Sequence, residues 1–177
     1  VHMIKEIPGI EKVTMTTNGI LLKEKLTDLK VAGLDAVNIS LDTTDRKTYA
    51  RITGKDELRT VLEAIDAAVD AGVQTKINAV SLNLGEEALW ELIRMAKERP
   101  VDVRFIEMMP IGYGRAFPVY SHRELFALLK EHFPQMEEDH AVHGFGPAVY
   151  YRIPGYLGSV GLISAIHGKF CGSCNRV

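Results

Sequence analysis

Four short β-rich runs alternate with helical patterns along this chain, and that order restricts the fold more than its composition does. The runs are Val13-Thr14-Met15-Thr16, Ala36-Val37-Asn38-Ile39-Ser40-Leu41, Thr75-Lys76-Ile77-Asn78-Ala79-Val80 and Val101-Asp102-Val103-Arg104-Phe105-Ile106-Glu107. Between them Leu58, Val61, Leu62, Ile65, Ala68 and Val69 keep helical spacing, as do Leu89, Leu92, Ile93 and Ala96. Strands separated by helices pair in parallel, so the pattern predicts an α/β protein whose sheet is covered by helices, either open or part of a barrel. Val31-Ala32-Gly33-Leu34 and Asp70-Ala71-Gly72-Val73 form a faint repeat, each closing a helix shortly before a strand. Gly33 and Gly72 suit the left-handed position that ends a helix.

Side chains alternate across a strand, so polar residues of one parity on neighbouring strands make one wet face. Thr14, Thr16 and Asn18 share a parity; so do Asn38, Ser40 and Asp42, then Lys76 and Asn78, then Asp102 and Arg104. A parallel sheet covered on both faces would read as almost continuous apolar residues instead. A partly open barrel with a lumen for a polar ligand resolves this; frayed polar strand ends are the blander account. Lys76 and Arg104 are costly inside a sheet, because a buried cation must meet an anion or stay hydrated. Asp42 or Asp102 could satisfy them as structural ion pairs, and anion binding is the other reading. By default Thr16-Thr17-Asn18-Gly19 caps the helix that follows it, and Met108-Met109 is core filler or a soft lid.

After Pro110-Ile111-Gly112-Tyr113-Gly114 a loop leads to a helix opened by Ser121, with Glu124 in capping-box position and an apolar face of Leu125, Leu128, Leu129 and Phe133. Residues 148–153 and 159–163 read as two strands joined through Pro154-Gly155. His140 and His143 lie in a polar loop, where such a pair is by default solvated. Cys171-Gly172-Ser173-Cys174 offers two thiolates, whereas a soft metal takes three or four ligands. With His167 the pair could hold zinc in a non-catalytic binding or interaction module; an iron–sulfur cluster and a redox dithiol are the other readings. Arg176 would sit beside an anion held at that metal, or is a surface arginine.

With 177 residues, 46% of them apolar, the chain can bury the core of one domain with a small appendage. The formal charge of −2 supplies no overall attraction to nucleic acid or an anionic membrane. No apolar run approaches the roughly 18 to 20 residues of a membrane span. A soluble cytoplasmic protein is expected, in a reducing compartment where two cysteines three apart favour metal or redox chemistry. Residues 1–6 read as the middle of a helix with no cap before it. Together with the incomplete metal motif, this predicts a piece of a longer protein.

Taken jointly, Thr16-Thr17-Asn18-Gly19, Val37-Asn38-Ile39-Ser40-Leu41-Asp42, Arg104-Phe105-Ile106-Glu107-Met108-Met109-Pro110, Gly161-Leu162-Ile163-Ser164 and Phe170-Cys171-Gly172-Ser173-Cys174-Asn175-Arg176 resemble the MoaA family of radical S-adenosylmethionine (SAM) enzymes, the GTP 3′,8-cyclases, over essentially the whole chain. The resemblance implies a partial TIM-like α/β barrel of five or so parallel strands over residues 1–115. Residues 116–177 would hold the last barrel helix and the start of a β-containing C-terminal extension. It implies a role in molybdenum cofactor biosynthesis, in which GTP is rearranged to (8S)-3′,8-cyclo-7,8-dihydroguanosine 5′-triphosphate on the route to cyclic pyranopterin monophosphate. The cofactors implied are SAM and two [4Fe–4S] clusters; the three cysteines of the first are not among these residues, so the chain alone is expected to be inactive. On the same grounds Ser40 and Met109 would contact SAM, and Thr16, Lys76, Arg176 and more weakly Arg104 would contact GTP. Cys171 and Cys174 would be two of three ligands to the second cluster. An electron donor and a homodimeric parent complete the implied partners.

Overall fold

The computed structural model describes residues 1–144 and 146–164, apart from the Tyr113 side chain. Helix α1 (His2–Lys5) is a single turn, shorter than the opening residues suggested. Pro8 disfavours helical backbone at Ile7 and helps stop it. Then follow β1 (Thr14–Thr17), α2 (Leu22–Val31), β2 (Ala36–Ser40), α3 (Arg46–Thr53), α4 (Leu58–Asp70), β3 (Gln74–Val80), α5 (Glu86–Glu98) and β4 (Asp102–Ile106). After a short 3-10 turn come α6 (His122–His132), β5 (Glu137–Asp139), β6 (Val149–Arg152) and β7 (Ser159–Ile163).

The strands form one sheet in the order β1-β2-β3-β4-β7-β6-β5. From β1 to β4 and on to β7 all neighbours are parallel, as in part of a barrel. β6 runs antiparallel to β7, and β5 antiparallel to β6. The hairpin through Pro154-Gly155 is therefore present, and through β7 it continues the sheet beyond residue 115. Among the described residues five strands are parallel, β1 to β4 and β7, matching the five or so expected of the partial barrel, and β6 is the other strand of the expected hairpin. β5 alone escaped, because Glu137-Glu138-Asp139 offers periodicity nothing apolar to read.

One face of the sheet is apolar. Val37, Ile39, Leu41, Ile77, Ala79, Val103, Phe105, Val160 and Leu162 form a core with Val61, Ala64, Ile65 and Ala68 of α4 and Leu89, Leu92, Ile93 and Ala96 of α5. Ile65 and Ile77 are fully buried, and each such side chain contributes about 1.5–3 kcal/mol. Register is thereby fixed, since a one-residue slip would put Lys76 where Ile77 packs.

Helix ends follow their local chemistry. Gly33 and Gly72 take positive φ, 92° and 70°, after α2 and α4. Ser121 accepts from the Glu124 N–H while the Glu124 carboxylate accepts from the Ser121 N–H, completing the capping box. Ser121→Ala is expected to cost about 1 kcal/mol, read as a lower urea midpoint with an unchanged slope. At the other candidate cap the expectation fails. α2 begins after Leu21 with no side-chain cap, whereas Thr17 Oγ1 accepts from the Gly19 N–H and Asn18 Oδ1 from the Ile20 N–H. Those bonds shape a tight turn, and Gly19 is needed within it: at φ 82°, a Cβ would lie 3.1 Å from Ile39 Cγ2 and 3.2 Å from Val61 Cγ1.

Candidate functional site

Opposite the core lies the wet face that parity predicts. Across β1 to β4, Thr16, Asn38, Lys76 and Asp102 are register partners in one row. The next row runs Ser40, Asn78, Arg104, Gly161 and Tyr150 into β7 and β6. Thr16, Ser40, Lys76 and Arg104 thus share a face, with Thr16 and Ser40 exposed and the two cations buried.

The two cations are satisfied differently. Lys76 Nζ is 2.8 Å from Asp102 Oδ2 and also donates to the Tyr150 hydroxyl at 3.0 Å and to the His143 carbonyl. Its charge is compensated, so for Lys76 the ion-pair reading holds. Arg104 is 3% exposed. Its Nε donates to Asn78 Oδ1 at 2.9 Å, and its Nη2 donates to Asn78 Oδ1 and to Asn38 Oδ1 at 2.6 and 2.8 Å. Asn38 in turn donates to Thr16 Oγ1 at 3.3 Å. Among the described residues no carboxylate lies within ion-pair distance of Arg104. Asp42, the other candidate partner, instead accepts from the Val80 N–H at 2.8 Å. Burial pushes the Asp42 carboxyl above the usual range, partly opposed by that bond.

Gly161 faces these groups, and a Cβ there would lie 2.9 Å from Arg104 Cγ and 3.0 Å from the Tyr150 ring. Gly161→Ala should therefore displace Arg104 and cost about 1–3 kcal/mol. Thermal denaturation measures that loss, and an unchanged midpoint would show that the face has slack.

Sequence reasoning missed His143. Its side chain is only 14% exposed, whereas His140 is solvated as read. The His143 ring stacks on Tyr150 with centroids 4.0 Å apart, and Nδ1 is 3.1 Å from Asp102 Oδ2. Nε2 lies 3.2 Å from Asp139 Oδ2 without the alignment of a hydrogen bond. A polar loop carries no periodic signal, so only the pairing of β5 with β6 reveals the insertion. The Asp139 carboxyl is held below the usual range, first by the Ala141 N–H and further by His143 and Ser159, against the opposing effect of burial. A carboxylate with a depressed folded-state pKa stabilises at neutral pH and loses that contribution as pH falls through it. Asp139→Asn should flatten the acid side of the stability profile, followed by melting from about pH 7 to pH 3.

Met109, just past β4, is 52% exposed, so it is not core filler. Glu107 is buried and accepts from the His122 N–H at 3.3 Å and the Ser164 hydroxyl at 2.9 Å, tying the end of β4 to the start of α6. His167, Cys171, Cys174 and Arg176 lie outside the described residues. Among the described residues no three of His, Cys, Asp and Glu are grouped to hold a metal ion, and no helix is long and apolar enough to cross a membrane. A separate groove beside α3 and α5 is lined by Asp45, Glu87 and Glu91, the wrong sign for an anion.

Comparison with known proteins agrees with this architecture. A model of the radical SAM superfamily matches residues 1–97. The chain belongs to the radical SAM superfamily. In this radical SAM chain residues 101–177 match a second family, Molybdenum Cofactor Synthesis C. A GTP 3′,8-cyclase of Clostridium perfringens strain 13 is 39% identical over 175 residues, covering 98% of this chain and 54% of that protein. One from Alkaliphilus oremlandii is 38% identical over 182 residues, covering all of this chain and 55% of that one. The molybdenum cofactor biosynthesis protein 1 of Drosophila melanogaster is 34% identical over 183 residues, covering all of this chain and 32% of its own length. The chain spans about half the length of the bacterial relatives. The crystal structure of Streptococcus suis SuiB bound to the precursor peptide SuiA superposes with a TM-score of 0.60 at 22% identity, over 70% of this chain and 29% of that one. That likeness shows the fold, which is the radical SAM partial barrel expected from the sequence.

Proposed function

We propose that this chain forms part of the substrate-binding face of a GTP 3′,8-cyclase, and that the whole protein converts GTP to the cyclised nucleotide on the route to molybdenum cofactor. Arg104 is the observation that carries the reading. Among the described residues the guanidinium is held by neutral amides alone, so it keeps its charge for a ligand, and it stands mid-strand on the polar face of a mostly parallel sheet. The cyclase relatives, matched over nearly the entire chain, supply the substrate class.

On this reading Arg104, with Arg176, faces the triphosphate and Thr16 offers a hydroxyl, while Lys76 joins only by giving up a present partner. Ser40 and Met109 are uncharged and exposed at the rim, and that suits SAM, whose sulfonium would be repelled by the two cations. When bound and reductively cleaved at an iron–sulfur cluster, SAM supplies radical hydrogen abstraction. Cys171 and Cys174 are the ligands this chain offers to a second cluster; the electron donor and a homodimeric assembly belong to the same proposal. The test uses the whole protein, reconstituted anaerobically with iron and sulfide and given SAM, a reductant and GTP. The expected result is GTP-dependent formation of 5′-deoxyadenosine together with the cyclised nucleotide. SAM cleavage that leaves GTP unchanged would overturn the reading.

A further inference from the structure

We infer that Asn38 and Asn78 are positioning residues whose neutrality, as much as their geometry, makes Arg104 an anion receptor. The inference rests on the reading of the polar face as a phosphate site. Three of the five guanidinium N–H groups are committed to the two asparagines, fixing the plane of the group across β2, β3 and β4. Both protons of Nη1 have no acceptor among the described residues. Thr16 buttresses the arrangement by accepting from Asn38.

The choice of amide over carboxylate has a functional meaning. Aspartate has almost the shape of asparagine, and at either position it would add an opposite charge to the bond, turning it into an ion pair with a cation already buried. A fold selecting only for stability would gain from that exchange. Lys76, one row away, has such a carboxylate in Asp102. Arg104 is as buried and lacks one among the described residues, which leaves its desolvated charge to be neutralised by an anion that binds. Phosphate oxygens match it, because the two protons left on Nη1 can each donate a charge-assisted bond to an anionic oxygen.

The experiment measures affinity for GTP and for inorganic tripolyphosphate in the whole protein carrying Asn78→Asp or Arg104→Met, with a thermal melt of each. Asn78→Asp should weaken both ligands about ten-fold or more while leaving the melting midpoint at or above that of the unaltered protein. Opposite movements of affinity and stability are the signature, since a merely structural asparagine would lose both together. Where Asn78→Asp gives no folded protein, Asn38→Asp repeats the test from the strand that accepts a single N–H. Arg104→Met tests the underlying reading, and undiminished affinity there overturns both ideas. If Arg104→Met weakens binding and both aspartate variants bind normally, the phosphate site stands and the inference falls. The inference also falls if the aspartate variants lose affinity and stability in parallel.

Discussion

Lys76→Ala is expected to destabilise the protein by about 3–5 kcal/mol, the usual effect of removing one partner from a buried ion pair. The Asp102 side chain is 12% exposed, and after truncation it would face His143 without its ammonium. Tyr150 and the His143 carbonyl would lose a donor as well. Removing both charges should cost much less than removing one, so Lys76→Met combined with Asp102→Leu is predicted to recover most of the loss in a double-mutant cycle. Urea denaturation of the whole protein measures Lys76→Ala and the cycle of Lys76→Met, Asp102→Leu and their combination, and additive losses in the cycle would show that the pair is not coupled. Arg104→Met should be milder, because what it leaves behind are neutral amide oxygens. On the proposed function the two cations on one face have opposite profiles, Lys76 weighted towards stability and Arg104 towards ligand.

Gly158→Ala should be more damaging still. A Cβ at this position would lie 1.9 Å from the Val101 carbonyl oxygen and 2.7 Å from its carbon, and neither backbone atom can rotate away. Relief would require parting β7 from β4 where their pairing begins, together with loss of the Gly158 N–H bond to the Ala96 carbonyl. The expected effect exceeds about 4 kcal/mol, in the range reserved for gross clashes. It should appear as little or no folded protein on expression. Gly155→Ala is the control: φ is 83° but nothing lies within 4 Å of a Cβ, so only about 1 kcal/mol of backbone strain is added. Similar yields and melting points for the two variants would show that the β4–β7 junction yields more readily than its geometry implies.

Much of this is legible in the sequence. Parity on four runs placed Thr16, Ser40, Lys76 and Arg104 on one face, because a period of two leaves a strand no choice once Val37, Ile39 and Ile77 face the core. The capping box at Ser121 was legible because donor and acceptor lie three residues apart. What escaped was non-local or non-periodic. Nothing in the spacing of His143 tells that β5 will bring it between Asp102 and Asp139. The partner of Lys76 depended on which carboxylate its neighbouring strand offers in register, and Asp102 took the place while Asp42 turned to the Val80 amide. Helix α3 was missed because most of Arg46–Thr53 is polar, with Tyr49 as its buried residue.

An ammonium has three protons, and Lys76 has placed all of them. Any anion arriving there makes a substitution, not an addition: the contact it gains is offset by one the protein gives up. Of the three partners, Asp102 and Tyr150 are anchored in strands, whereas the His143 carbonyl belongs to the connecting segment after β5. The segment is the member most able to yield. An occupant of the polar face and residues 140–144 are therefore rivals for one cation, and whatever seats the imidazole more firmly between its two aspartates also withdraws Lys76 from the occupant.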